Sequence, residues 1–259
     1  MRTIVLFLIL LGCGTSHITA QNDYLVTTIP NQEDPLSEEE QFIKENFPLQ
    51  LLCKWTPGMK FMFIPSGRDM FLPTLSVYET EKGADNSVLK HKILTFAGYE
   101  EKSQKLSNDM SYSTRLIFEC DGEKYYYEIK NTRPDEICEK NPRAYINGLV
   151  NLKDVDTAKD LLTGRKIYVQ SDMAQVDDAN SYSGYREVSI PVNTEATITA
   201  IGVGSQAYPV KIIFQDSQRH SYYLEVALSR TNSGMDMSDF QGEKRMKYFS
   251  NSISFTNKK

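Results

Sequence analysis

The sequence predicts a mainly β protein made of two tandem small β-barrels, each preceded by a short helix. Three observations carry that expectation. First, Leu116–Lys130 (LIFECDGEKYYYEIK) and Ile212–Ala227 (IIFQDSQRHSYYLEVA) share one layout: an apolar pair, Phe, a short polar turn, a tyrosine cluster, then Glu and a β-branched residue. Second, a helix, a glycine turn and a strand recur in that order, with Gly58 in one copy matching Gly164 in the other. Third, short apolar runs such as Val188/Ile190/Val192 and Val210–Phe214 alternate or cluster between turn residues, the signature of many short strands. About five strands per copy suit a closed or nearly closed barrel, which also removes exposed edges. The competing architecture is a single β-sandwich whose strands resemble one another.

The first twenty residues read as a signal peptide. Arg2 gives a basic start, IVLFLILL at 4–11 is an unbroken apolar run, and Ala20 closes a polar stretch before Gln21. Eight apolar residues are too few to span a bilayer. Leu10-Leu11-Gly12-Cys13 offers another processing route, in which Cys13 is lipid-anchored. Residues 21–35 (QNDYLVTTIPNQEDP) are polar with little periodicity and read as a flexible leader.

The first barrel is expected over residues 36–145 with its helix. Ser37 with Glu40 forms a capping box, acidic residues fill the first turn, and Phe42, Ile43 and Phe47 follow at helical spacing up to Pro48. Thr56-Pro57-Gly58 turns, and MKFMFI at 59–64 reads as a buried strand. The second barrel is expected over 146–259, the join falling near Asn141–Lys153. Asp154 or Asp156 can cap its helix, Thr163-Gly164 turns, and Lys166–Val169 is a strand. Tyr248–Phe255 is expected to close that barrel as its last strand. Copy one is longer between Gly98 and Arg115, and insertions fall in loops, so a long surface loop is expected there.

Leu161-Leu162-Thr163-Gly164 with Tyr168, Thr199-Ala200-Ile201-Gly202 and Val210–Phe214 together resemble the bacterial Src-homology-3-like barrels found in tandem in secreted envelope proteins. The resemblance covers most of the mature chain. It implies a periplasmic or extracellular protein that binds peptides, cell-wall components or other proteins. No second domain type accompanies the barrels.

Composition narrows the chemistry. A formal net charge of −5 and no Lys/Arg cluster argue against nucleic acid or an anionic surface as partner. No apolar segment beyond the signal approaches the length of a membrane span. Three cysteines remain after processing, Cys53, Cys120 and Cys138, which allow one disulfide in any of three pairings. Joining Cys120 to Cys138 would close a loop of about 20 residues, worth on the order of 3 kcal/mol in the chain-entropy model.

No metal or other cofactor is expected. Asp172, Asp177, Asp178 and Asn180 crowd one acidic loop, but their spacing is not that of a calcium hand. Glu128 and Glu225 occupy matching places, as duplicated structural positions would. His91 and His220 are the histidines left to serve a cysteine nucleophile, Cys53 or Cys120. The aromatic content is the stronger signal: among 15 tyrosines, Tyr99, Tyr112, Tyr182, Tyr185 and Tyr208 fall in expected loops, and Trp55 flanks a turn. Such rings offer rigid contact area with a polar tip. The sequence therefore points to a non-catalytic binding or assembly module of the bacterial envelope, with a glycan, peptide or protein as ligand. The alternative is a cysteine-dependent hydrolase of wall or peptide substrates.

Overall fold

The computed structural model describes residues 35–48, 50–65, 72–106, 109–140, 146–178, 180, 184–228 and 243–257. The signal segment, Cys13, nearly all of the leader and Tyr182 lie outside the described residues. Two antiparallel sheets dominate, and one of them curls into a half-barrel. Sheet one has the order β2-β5-β4-β3-β1-β6, from β1 (Lys60–Phe63), β2 (Ser76–Val77), β3 (Ile93–Leu106), β4 (Asp109–Cys120), β5 (Glu123–Lys130) and β6 (Leu149–Asn151). Sheet two has the order β13-β7-β10-β11-β12-β8-β9. Its strands are β7 (Lys166–Val169), β8 (Met173–Asp177), β9 (Tyr185–Ser189), β10 (Thr194–Val203), β11 (Val210–Asp216), β12 (Ser221–Val226) and β13 (Ile253–Ser254).

Taken from opposite ends, the two orders match strand for strand, with β9 the extra member. The repeated Phe–turn–Tyr segments are the β4–β5 and β11–β12 hairpins, in which Phe118 faces Tyr125 and Phe214 faces Tyr222. The glycine turns also match. Gly58 (φ 93) and Gly164 (φ 82) occupy the left-handed region that a side chain disfavours. Their N–H groups donate to the carbonyls of Phe96 and Ile198, each at 2.8 Å. Just beyond, each long strand is bulged, between Phe96 and Gly98 and between Ile198 and Ala200. A bulge at the same rung bends both sheets at the same place. These pairings set Phe96 against Ile198 in the two copies.

The cores differ in composition. In copy one, Trp55 is 3% exposed and lies among Phe61, Phe96 and Phe118, with ring centroids 4.3, 5.6 and 6.3 Å away. Copy two is mostly aliphatic, built on Ile167, Val169, Ile198, Val210, Ile212, Phe214 and Val226.

Helix α1 (Glu38–Asn46) has the expected capping box: the Glu40 N–H donates to Ser37 Oγ at 3.2 Å, and the Ser37 N–H donates to Glu40 Oε2 at 2.9 Å. Its place is not the expected one. Ile43 and Phe47 are buried in the core of copy two, not copy one. There α1 packs beside helix α5 (Glu243–Ser252), with Phe42 stacked 6.4 Å from Phe249. The buried Glu39 carboxylate accepts the Phe255 N–H at 2.6 Å and the Ser254 hydroxyl at 2.9 Å. In copy one a single 3-10 turn, Leu52–Lys54, stands before β1.

Four further expectations change. The segment Gly98–Arg115 is not a loop: β3 and β4 pair through it from Gly98↔Ile117 out to Leu106↔Asp109, a hairpin arm. Alternation of the segment's few apolar residues with polar ones permits a ladder as readily as a loop. The span Tyr248–Phe255 is helix through Ser252, because Met246, Phe249, Ser250 and Ile253 recur at i, i+3, i+4 and i+7 and all are buried. Only Ile253 and Ser254 pair, with Val169 and Tyr168. The join is sharper than expected, since β6 still belongs to sheet one and runs directly into α4 (Leu152–Leu162). Asn151, not an aspartate, caps α4, accepting the Lys153 N–H at 2.9 Å. Asp154 instead accepts from Gln50 Nε2 at 3.0 Å.

The disulfide also departs from the expected pairing. Cys53 is bonded to Cys138, and among the described residues Cys120 is the free cysteine, buried. Sequence proximity favoured Cys120–Cys138, but Cys120 ends β4 with its side chain in the core, as alternation from Leu116 and Phe118 requires. The Leu52–Lys54 turn instead packs on α3 (Ile137–Lys140), with the two Cα atoms 5.4 Å apart.

Candidate functional site

Strand alternation sends Val210, Ile212 and Phe214 into the core of copy two and leaves Lys211, Tyr223 and Glu225 on the outer face. Lys211 stands opposite Glu225 across the β11–β12 ladder. Its Nζ lies 2.9 Å from Asp177 Oδ1 and 3.6 Å above the Tyr223 ring. Copy one repeats this cluster. Arg115 stands opposite Glu128, its Nη2 donates to Glu81 Oε1 at 2.6 Å, and its guanidinium lies 4.1 Å above the Tyr126 ring. The carboxylates' further partners differ: Glu128 accepts the Ser113 hydroxyl of β4 at 2.7 Å, and Glu225 accepts the Ser205 N–H of the loop after β10 at 3.2 Å.

The copies differ in access. The Arg115 side chain is 6% exposed beneath the turn that follows β2 and carries Glu81, whereas Lys211 is 21% exposed and Asp177 is 78% exposed. Lys102 also binds Glu81 at 2.9 Å, and the Tyr78 hydroxyl donates to Glu100 at 2.7 Å, so copy one is closed by its own side chains. The Arg115 and Lys102 hydrogen bonds pull the Glu81 carboxyl from 4.5 down to about 2. A depressed folded-state pKa contributes stability above pH 4.5 that fades as pH falls toward about 2. Glu81 is half-exposed, so solvent screens the contribution. Acid unfolding followed by Trp55 fluorescence should therefore be slightly less steep in Glu81→Gln between those two pH values; an unchanged acid profile would show that the pair contributes nothing.

In copy two Tyr223 is as buried as Tyr126, both 6% exposed, but Lys211 and Asp177 reach solvent more and further aromatic rings adjoin them. Tyr185 projects from β9 near Tyr223. Burial pushes the Tyr223 hydroxyl up to about 12, with Asp177, Glu225 and Tyr185 adding to the shift. The loop after β10 holds Tyr208, whose ring stacks on Tyr248 of α5 at 5.5 Å and 26°. Gly204 makes that loop possible. Its N–H donates to the Pro209 carbonyl at 2.9 Å, and a Cβ there would run into the Tyr208 carbonyl and the Glu225 side chain. Tyr248 is 41% exposed, and burial, then Tyr208 and Glu225, raise its hydroxyl pKa. Near neutrality Tyr223 and Tyr248 are therefore uncharged rings with hydroxyl tips, placed around two carboxylates and one lysine.

Of the tyrosines expected to meet a ligand, Tyr185 and Tyr208 share this face. Tyr112 lies elsewhere, on β4, with the Arg133 guanidinium 4.0 Å above its ring. Trp55 and Tyr99 are not presented as a shelf. Trp55 fills the core of copy one, and half-buried Tyr99 packs 5.0 Å from Phe96 while its hydroxyl donates to the Leu52 carbonyl at 2.5 Å. Tyr223, Lys211 and Tyr248 are not singled out as ligand contacts by the sequence. The first two were legible in the alternation of β11 and β12; Tyr248 was not, because its span reads as a strand.

Other chemistries find little support. Cys53 Sγ is bonded to Cys138, and burial raises the pKa of the Cys120 thiol, with Asp121 adding. His220 Nδ1 lies 3.1 Å from Asp216 Oδ2 within its own hairpin turn, and exposed His91 sits at φ 62 beside Lys90 and Lys92. The span expected as an acidic loop is largely strand: Asp177 ends β8 and holds Lys211, and Asp178 lies 3.7 Å from Arg186 Nε. Among the described residues no cluster of three or more His, Cys, Asp or Glu side chains is arranged to hold a metal ion, and no helix is long and apolar enough to cross a membrane.

No protein-family model, no curated protein and no solved structure matches this chain.

Proposed function

We propose that this is a secreted, non-catalytic binding module of the bacterial cell envelope, and that it holds a glycan chain on the outer face of sheet two. One observation carries the reading: a cluster built twice has its cation and carboxylate more exposed in copy two, where Tyr185, Tyr208 and Tyr248 adjoin it. Tyrosine rings offer flat apolar faces for sugar rings, and Glu225 and Asp177 can accept hydrogen bonds from sugar hydroxyls. The tandem Src-homology-3-like reading is supported by the matched strand orders, glycine turns and bulges. The signal-like start supports export to the periplasm or beyond, with a lipid anchor at Cys13 as the other processing outcome. The hydrolase alternative draws less support, since Cys53 is bridged and burial disfavours the Cys120 thiolate.

Calorimetric titration of the mature protein with solubilised cell-wall glycan fragments tests this. Tyr208→Ala combined with Tyr185→Ala should weaken binding by about tenfold or more, as loss of interface tyrosines commonly does, while far-UV circular dichroism stays unchanged. Full affinity in the double variant, or no binding by the parent protein, would remove the proposal.

A further inference from the structure

The tyrosines of sheet two stand in two groups, and the sheet itself sets the distance between them. Tyr185 begins β9, where it pairs with Asp177 of β8. The Asp178 N–H donates to the Gly184 carbonyl at 2.9 Å, which closes the ladder at that end. Tyr208 stands on the other side, two residues before β11 begins. Its loop is pinned to the sheet through Ser205, whose N–H donates to Glu225 of β12 and whose Oγ accepts the Tyr208 N–H at 3.3 Å. Both rings are thus carried on hydrogen-bonded backbone.

The strands β11, β12, β8 and β9 are consecutive in the sheet, so three strand steps lie between the two groups. At the usual strand spacing that is about 14 Å. The electrostatic neighbours agree: Tyr185 and Asp177 adjoin Tyr223, Tyr208 adjoins Tyr248, and Glu225 adjoins both Tyr223 and Tyr248. Across the face the layout is ring, polar centre, ring, with Lys211 held by Asp177 in the middle. Exposed residues continue past both ends, Tyr248 at one and Gly184 and Glu187 at the other.

Resting on the glycan reading above, we propose that this face takes internal segments of a long, linear polysaccharide and needs about four consecutive sugar units. A linear wall-type sugar chain advances one unit in roughly the distance between adjacent strands. Four units therefore place a ring on each tyrosine group and hydroxyls over Lys211, Asp177 and Glu225. A mono- or disaccharide reaches one group at a time. Joining both contacts in one molecule makes the second contact intramolecular and raises affinity beyond that of either alone. Because the rings are held in place before binding, the gain comes at a threshold of length. Exposure past both ends lets the chain run on, so its termini are not what is recognised.

Calorimetric titration of the mature protein with size-fractionated cell-wall glycan fragments of two, four and eight sugar units tests this. Affinity should rise about tenfold or more from two units to four, and little from four to eight on a per-site basis. Chemical reduction of the terminal sugar should leave the eight-unit affinity unchanged. The gain from two units to four should vanish in Tyr185→Ala and in Tyr208→Ala, while Tyr185→Phe and Tyr208→Phe, which keep the ring, should retain it. Equal affinity for two and four units would overturn the proposal and leave the glycan reading standing. A gain that persists in both alanine variants, or a need for an unreduced end, would overturn it too. No binding at any length would remove the glycan reading and this proposal together.

Discussion

Replacing both Cys53 and Cys138 by serine should lower the stability of copy one by about 4–5 kcal/mol, the chain-entropy value for a bridge whose ends are 85 residues apart. The bridge fastens the Leu52–Lys54 turn to α3, and that turn positions Trp55 and receives the Tyr99 hydroxyl. Copy one has one short turn where copy two has the eleven-residue α4, so it has less burial to fall back on. The chain contains one tryptophan, and it lies in this core, so its fluorescence reports copy one directly. Urea unfolding with and without reductant should show the midpoint fall and the slope rise, because the uncrosslinked denatured chain exposes more surface. An unchanged midpoint would mean that the turn and helix hold together without the bond.

Glu39→Ala should cost about 2–3 kcal/mol, because it removes the charged acceptor of the part-buried Phe255 N–H and leaves the Ser254 hydroxyl only the Thr256 carbonyl. Those donors, Phe255 N and Ser254 Oγ, belong to the strand end that pairs with β7. Glu39→Gln keeps an acceptor oxygen and should recover a large part of the loss. Thermal melting followed by circular dichroism checks both variants. If Glu39→Ala melts with the parent protein, α1 does not secure that end of sheet two.

Much of the scaffold is legible in the sequence because it is local. The hairpins around Asp121-Gly122 and at 217–220, the Ser37/Glu40 cap and the Gly58 and Gly164 turns each need only neighbouring residues. What is not legible depends on distant pairing. Nothing near Glu39 or Ile43 says that their partners lie beyond Phe249, and nothing near Cys53 favours Cys138 over Cys120. The arm at Gly98–Arg115 is not legible either, because polar residues suit an exposed ladder as well as a loop. Tyr185 and Tyr208 could be picked as exposed aromatics, but their meeting near Tyr223 and Tyr248 depends on sheet order and on a C-terminal helix.

The position of α1 sets how this chain can be cut. Its residues precede copy one, yet Ile43 and Phe47 are part of the interior of copy two. A fragment beginning at Ile146 would carry every strand of sheet two and still lack a wall of its core. Such a fragment should recover its fold when a peptide spanning Ser37–Phe47 is supplied separately, and a fusion of that peptide to its end should serve as well. During synthesis the helix is made first and must wait for the last strand. The two halves are consecutive in sequence but interlaced as folding units.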